Sequence, residues 1–306
     1  MGYTNLNLKN GDTVDEKVFQ HIDNNFSQLY DTVGDYSIHI SFDDTVACLT
    51  NLTKNTYNSL FDEPFFGWLK SLHDLYGAKF SLYVYSLTTL ASVPTTYKSE
   101  FFEARHWLKF GLHSKQAGFN YASETYANAK KDWNSLASGI IKITGTHQSI
   151  DRIPRLHNFS ASLEAATGMR DASCGVLGFL AADDSRISYH LTEAQNTVLK
   201  AQSQFLDKKN GLIILKTNYR GEWLNSADGM YEMMESFLSD SLYANCFKPF
   251  VWFTHEPYVY SASNGLTDKA KIVEDVCKFA YDYHIPFTYP QNELNIKPQL
   301  FINESE

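Results

Sequence analysis

In the stretch from Ser37 to Thr45, Ile38, Ile40 and Phe42 alternate with smaller or polar residues and run directly into Asp43 and Asp44. That two-residue period predicts a β-strand ending in paired acids. Helical spacing follows at Phe65, Leu69, Leu72 and Leu75, with Pro64 in the first turn and Tyr76-Gly77 at the end, so a helix is expected over about 62–75. Lys79–Tyr85 and Trp107–His113 read as the second and third strands, and 121–136 as a long helix. A fourth strand is expected over Arg152–His157 and a fifth over Cys174–Leu180. Strands at 212–217, 250–254 and 286–289 then alternate with helices near 193–206, 230–238 and 269–283. Such alternation predicts βαβ units and a largely parallel sheet, and seven or eight units suit a distorted (β/α) barrel. No Ser/Gly-rich linker interrupts residues 36–306, which read as one domain. Residues 1–35 read as a polar leader and one extra N-terminal helix, with Val14, Val18, Ile22, Phe26 and Leu29 on its apolar face.

Composition narrows the function classes. Of 306 residues 43% are hydrophobic and 15% aromatic, enough for a sizeable core, and 19 Tyr supply amphipathic surfaces. The net charge of -9, with no Lys/Arg run, argues against nucleic acid as a partner. Cys48, Cys174, Cys246 and Cys277 lie far apart, which suits free buried thiols rather than a disulfide or zinc scaffold. No apolar run is long enough to span a membrane and no signal sequence opens the chain, so a cytoplasmic or particle-associated protein is expected.

Placing the strands gathers the polar residues. Asp43 and Asp44 end the first strand, His113 the third, Arg155 and His157 the fourth, and Asp183-Asp184 follow the fifth, while His255-Glu256 follow Val251–Thr254. In a parallel barrel these ends share one rim, where acids, histidines and an arginine suit metal-assisted hydrolysis. A hydrogen-bonded polar ring closing the barrel is the structural alternative. His147, His190 and His284 have no assigned partner, and His106 begins the third strand at the opposite end. No G-x-S-x-G elbow or glycine-rich phosphate loop is present.

The order of these segments resembles the polysaccharide deacetylase, or NodB-homology, family. Ser41-Phe42-Asp43-Asp44 matches its T/S-F-D-D motif, and Tyr76-Gly77-Ala78-Lys79 its Tyr-Gly-x-Lys unit. The H-x-x-x-H motif is half present, with His113 followed by Ala117. Arg155-Leu156-His157-Asn158 loosely echoes the arginine motif, Asp183-Asp184 the acidic one, and Thr254-His255 the final histidine motif. The resemblance spans about residues 36–290. The start of the chain, Leu8–Thr13 and His21–Asn25, is separately similar to leaders of phage tail and baseplate proteins.

The resemblance implies a NodB-like barrel that removes N-acetyl groups from an amino sugar or polysaccharide. Asp43 would be the general base, Arg155 its support, His255 the general acid, and Asp44 and His113 ligands of a divalent metal, zinc first, with cobalt or nickel as alternatives. Catalytic zinc takes three protein ligands, so Ala117 leaves a place that His157 would fill unless it is a rim histidine bonded elsewhere. Glu256 is a ligand or a loop acid. The alternative function is a barrel that has lost its metal and binds glycan without turnover, as part of a phage or cell-surface assembly. A retaining glycosidase would need two carboxyl groups about 5 Å apart across a groove, which adjacent Asp43 and Asp44 do not suggest.

Overall fold

The computed structural model describes residues 37–223 and 249–294. The helices expected within 1–35 and near 230–238 lie outside the described residues. In chain order the elements are β1 (Ile38–Thr45), α1 (Ala47–Lys54), α2 (Pro64–Tyr76), β2 (Phe80–Val84), α3 (Leu87–Ser92), α4 (Lys98–Ala104) and β3 (Leu108–Leu112). There follow α5 (Tyr126–Thr144), α6 (Leu163–Arg170), β4 (Gly178–Leu180), α7 (Glu193–Gln202), β5 (Gln204–Asp207), β6 (Leu212–Leu215) and β7 (Tyr219–Arg220). Then come β8 (Phe250–His255), a turn of helix over Glu256–Val259, a short hairpin of Tyr260–Ser261 with Gly265–Leu266, α8 (Ala270–Asp282) and a last helical turn over Pro290–Glu293. The expected α/β class holds: a five-stranded parallel sheet, ordered β3-β2-β1-β8-β7, packs with helices.

The alternation along each strand decides which layer a residue joins. Ile38, Ile40 and Phe42 of β1, Phe80 and Leu82 of β2, and Trp252 of β8 join the main core under the helices. Phe42 is fully buried and meets Phe65 of α2 edge-on at 5.3 Å. The other face of the same strands is polar. It carries His39, Ser41 and Asp43 on β1, Ser81 and Tyr83 on β2, and Lys109 on β3, all buried. A small second core of Tyr83, Ile153, Leu180, Ile213, Leu215 and Val251 lies on this face. Gly111 of β3 makes room for it, since a Cβ there would stand 2.9 Å from the Tyr83 ring.

Several expectations are corrected. Arg152–His157 forms no assigned strand, because Pro154 has no N–H to offer a ladder. The segment nevertheless bonds on both sides: Asp151 N–H donates to Phe110 and His157 N–H to His113, while Leu177 and Leu180 N–H donate to Arg152 and Pro154. β4 pairs in parallel with β6, and Asn218 N–H donates to Val251 of β8. The last expected strand, 286–289, reduces to a single bridge between Phe287 and Ile38. The fifth strand keeps only Gly178–Leu180, and the long helix starts at Tyr126 and reaches Thr144. Leu75, expected in the buried stripe of α2, is exposed, in the last turn before the helix ends at Tyr76 and left-handed Gly77 caps it. Of the thiols, Cys48 and Cys277 are free and buried, and Cys174 is free and half-buried. Among the described residues no helix is long and apolar enough to cross a membrane.

Candidate functional site

Two consecutive strand residues normally point to opposite faces, so Asp43 and Asp44 should not share a site. A bulge brings them together. β1 pairs Phe42 with Leu82 but Thr45 with Val84, so one extra residue enters β1 between these pairs. Asp44 takes up the irregularity in the left-handed region, at φ 56°. That conformation costs a non-glycine residue about 1–3 kcal/mol and persists where surrounding structure enforces it. The surrounding structure here is Glu256. Its buried carboxylate accepts from the N–H groups of Val46, Ala47 and Cys48 at 2.7, 2.7 and 2.8 Å, fixing the start of α1 just after the acids. Glu256 is therefore neither a ligand nor a loop acid, but an anchor for the loop that carries Asp44.

Asp43 is 1% exposed and lies beside fully buried Arg155, whose Nη1 donates to its Oδ1 at 3.0 Å. The same Nη1 reaches Ser41 at 3.1 Å, and Nη2 donates to Thr217 at 3.2 Å. The guanidinium also stacks on Phe253, 3.9 Å from the ring centre. The expected Asp43–Arg155 partnership is thus present. In the β1–β8 register Asp43 stands directly across from His255.

His113 Nδ1 lies 2.7 Å from the Arg155 carbonyl, which can only accept, so Nδ1 carries the proton. In the neutral ring Nε2 then presents a lone pair. It faces Asp44 Oδ1 at 3.2 Å, an ion-pair contact when Nε2 is protonated; with a neutral ring, that buried oxygen has no hydrogen-bond partner. Two acceptors held this close repel unless a proton or a cation lies between them. Two donors each about 2.0–2.2 Å from one zinc ion would have this kind of spacing. Burial alone would raise the Asp44 pKa, but the hydrogen bond and charge of a protonated His113, with the charges of His255 and His157, outweigh it and hold the carboxyl below its usual range.

His157 does not complete that pair. Its Nδ1 donates to the Phe119 carbonyl at 3.0 Å, and Nε2 accepts from the Tyr85 hydroxyl at 3.2 Å. The Tyr85 oxygen in turn accepts from Gly118 N–H at 2.9 Å. His157 nevertheless stays close, its ring centre 5.4 Å from that of His113, and burial followed by the His113 charge pushes its pKa down, favouring the neutral ring. The fit to a metal is thus two convergent donors with a third ring occupied by Tyr85. Among the described residues no group of three or more His, Cys, Asp or Glu side chains has metal-holding geometry.

The sequence reading missed Glu222. It sits in the turn Gly221–Trp223 after β7, where Gly221 lies so close to Trp252 that a Cβ would come within 2.6 Å of its ring. Glu222 Oε1 accepts from the His255 backbone N–H at 2.7 Å, its Nδ1 at 2.9 Å and the Thr254 hydroxyl at 2.8 Å. Burial opposes the charge on both partners. The Glu222 bond, with the Asp43, Glu222 and Asp44 charges, still holds His255 above the ordinary histidine pKa. The His255 bond likewise keeps Glu222 below the ordinary glutamate range. The only hint in the sequence was an acid just beyond a strand that runs further than its apolar stretch. Asp183 and Asp184 stand apart: Arg220 holds Asp183 through Nε and Nη2 at 2.7 and 2.8 Å, and Arg186 holds Asp184 at 2.7 Å.

No family model matches the sequence, and no curated protein matches it. The chemistry of the site rests on its own geometry.

Proposed function

We propose that the chain is a metal-dependent amide hydrolase removing an N-acetyl group from an amino sugar or its polymer, on a divergent barrel resembling the polysaccharide deacetylases. The fold part of this reading is a closed ring of seven parallel segments: β1, β2, β3, 150–157, β4, β6 with β7 as its continuation, and β8. It is supported by the hydrogen bonds joining each to the next and β8 back to β1. The observation that carries the function is the pair of facing acceptors, Asp44 Oδ1 and His113 Nε2, with Asp43 and His255 beside them.

Asp44 and His113 would hold a divalent cation, zinc or else cobalt or nickel, and His157 would join them by giving up its bond to Tyr85. A cation held there would supply polarisation of the amide carbonyl and activation of a water at neutral pH. Asp43, fixed by Arg155, would take the proton from the attacking water as general base. His255, whose proton Glu222 helps to hold, would deliver it to the departing amine, which is a poor leaving group without one. Half-exposed Trp223, next to Glu222, offers a sugar an aromatic face.

The occupied state of His157 favours a second reading, a glycan-binding barrel without turnover. Acetate release from N-acetylated amino-sugar oligomers separates the two. The hydrolase should release acetate with added divalent metal, and Asp43→Asn should slow it by about 10²–10⁴-fold. Saturable oligomer binding with no acetate released at any metal concentration would sink the hydrolase and leave the binding reading.

A further inference from the structure

A cavity of about 580 Å³ opens at the amino ends of the strands, away from the site above. Four cations line it: Lys79 just before β2, Arg105 after α4, Lys109 within β3, and Arg152. In a chain of net charge -9, such clustering is not background.

What holds these cations is neutral. Arg105 Nε donates to the Gln148 side chain at 3.2 Å and its Nη1 to the Phe102 carbonyl at 2.7 Å. Lys109 donates to the Gln148 carbonyl, and Arg152 Nε to the Gly175 carbonyl at 2.7 Å. Gln291 ties the wall together through the Arg152 N–H at 2.7 Å. Among the described residues none of the four cations forms an ion pair. The carboxylate acting on Lys109, Asp151, is bonded by Ser81, Tyr83 and the Ile153 N–H and offsets at most one of the four positive charges.

Two further observations point to a ligand. Lys109 is only 7% exposed, its ammonium 4.8 Å from the Tyr289 ring centre, so its charge is held where water cannot fully solvate it. Tyr289 lines the same cavity, is 1% exposed, and has a hydroxyl with no partner.

We propose that this cavity binds a phosphate- or sulfate-type oxyanion of charge two or more. Guanidinium groups match tetrahedral oxyanions through paired N–H donors, and buried ammonium adds a point charge, so the class of ligand follows from the lining. A monovalent carboxylate would leave most of the charge uncompensated.

The test is calorimetric titration of the full chain with inorganic phosphate, pyrophosphate and sulfate, against sodium chloride at matched ionic strength. Saturable binding is expected, weakened at least about tenfold in Lys79→Gln/Arg105→Gln. Both residues are partly exposed, so the variant should keep the wild-type melting temperature without ligand. Lys130→Gln/Lys131→Gln on α5 removes equal charge elsewhere and should bind like wild type. Glucose 6-phosphate binding tighter than inorganic phosphate would assign the site to an ester, and the reverse order to the free ion. No saturation beyond the chloride control, or equal affinity in the Lys79/Arg105 variant, would overturn the proposal.

Discussion

Asp43→Ala is expected to lower the unfolding free energy by about 3–5 kcal/mol, the cost of removing one partner from a buried ion pair. Arg155 has no exposed surface, and its Nε already lacks a partner. Ser41 and Thr217 can hydrogen-bond the guanidinium but cannot neutralise it. Removing Asp43 therefore leaves a buried charge with only neutral company, and water must enter or neighbouring strands must move. Urea unfolding at neutral pH measures the loss. The double variant Asp43→Ala/Arg155→Met should recover much of it, because an apolar pair of similar volume carries no desolvation penalty. A double variant as unstable as the single one would mean that packing, and not charge, makes this position costly.

The largest effect on activity is expected at His255 and its partner. His255→Ala should reduce turnover by about 10²–10⁴-fold, the range for loss of a general acid. Glu222→Gln should reduce it by about 10–100-fold, the range for loss of a carboxylate that orients a functional histidine. It should also move the alkaline limb of the pH–rate profile to lower pH. The sign follows from the shifts. His255 has its pKa raised above 6.5, so its contribution to stability is complete below 6.5 and fades as pH rises through the folded value. Glu222 has its pKa lowered from 4.5, so its contribution is present above 4.5 and fades as pH falls through the folded value. The pair thus supports the fold most between about 4.5 and 6.5, and the acid form of His255 persists above that window. An alkaline limb that stays in place in Glu222→Gln would remove His255 from the role of acid.

Much of this site was legible because strand ends in parallel sheets converge. Asp43, Asp44, His113, Arg155 and His255 could be gathered from apolar runs that stop at polar residues. What the pattern could not carry was local backbone geometry. Whether Asp44 shares a face with Asp43 depends on one bulge and a left-handed residue, and neither leaves a hydrophobic trace. Glu256 reads as a surface acid after a strand and is instead buried under three backbone N–H groups, 208 to 210 residues away in sequence. His157 looked like a spare ligand because Tyr85, which occupies it, lies 72 residues earlier. The segment Arg152–His157 reads as a strand in sequence and bonds to both neighbours, but Pro154 breaks its ladder. The polar face of β1 to β3 was visible only as the spaces between apolar residues.

The most direct measurement is metal content by mass spectrometry on protein purified without chelator and then offered zinc, cobalt or nickel. The wild-type chain should hold one divalent ion per molecule, and both Asp44→Ala and His113→Ala should lose it, because each removes one of the two facing donors. Tyr85→Phe should retain the metal or bind it more tightly, since it releases His157 Nε2. A wild-type chain that takes up no metal under any of these conditions would contradict the central claim and leave Asp44 and His113 as parts of a polar rim.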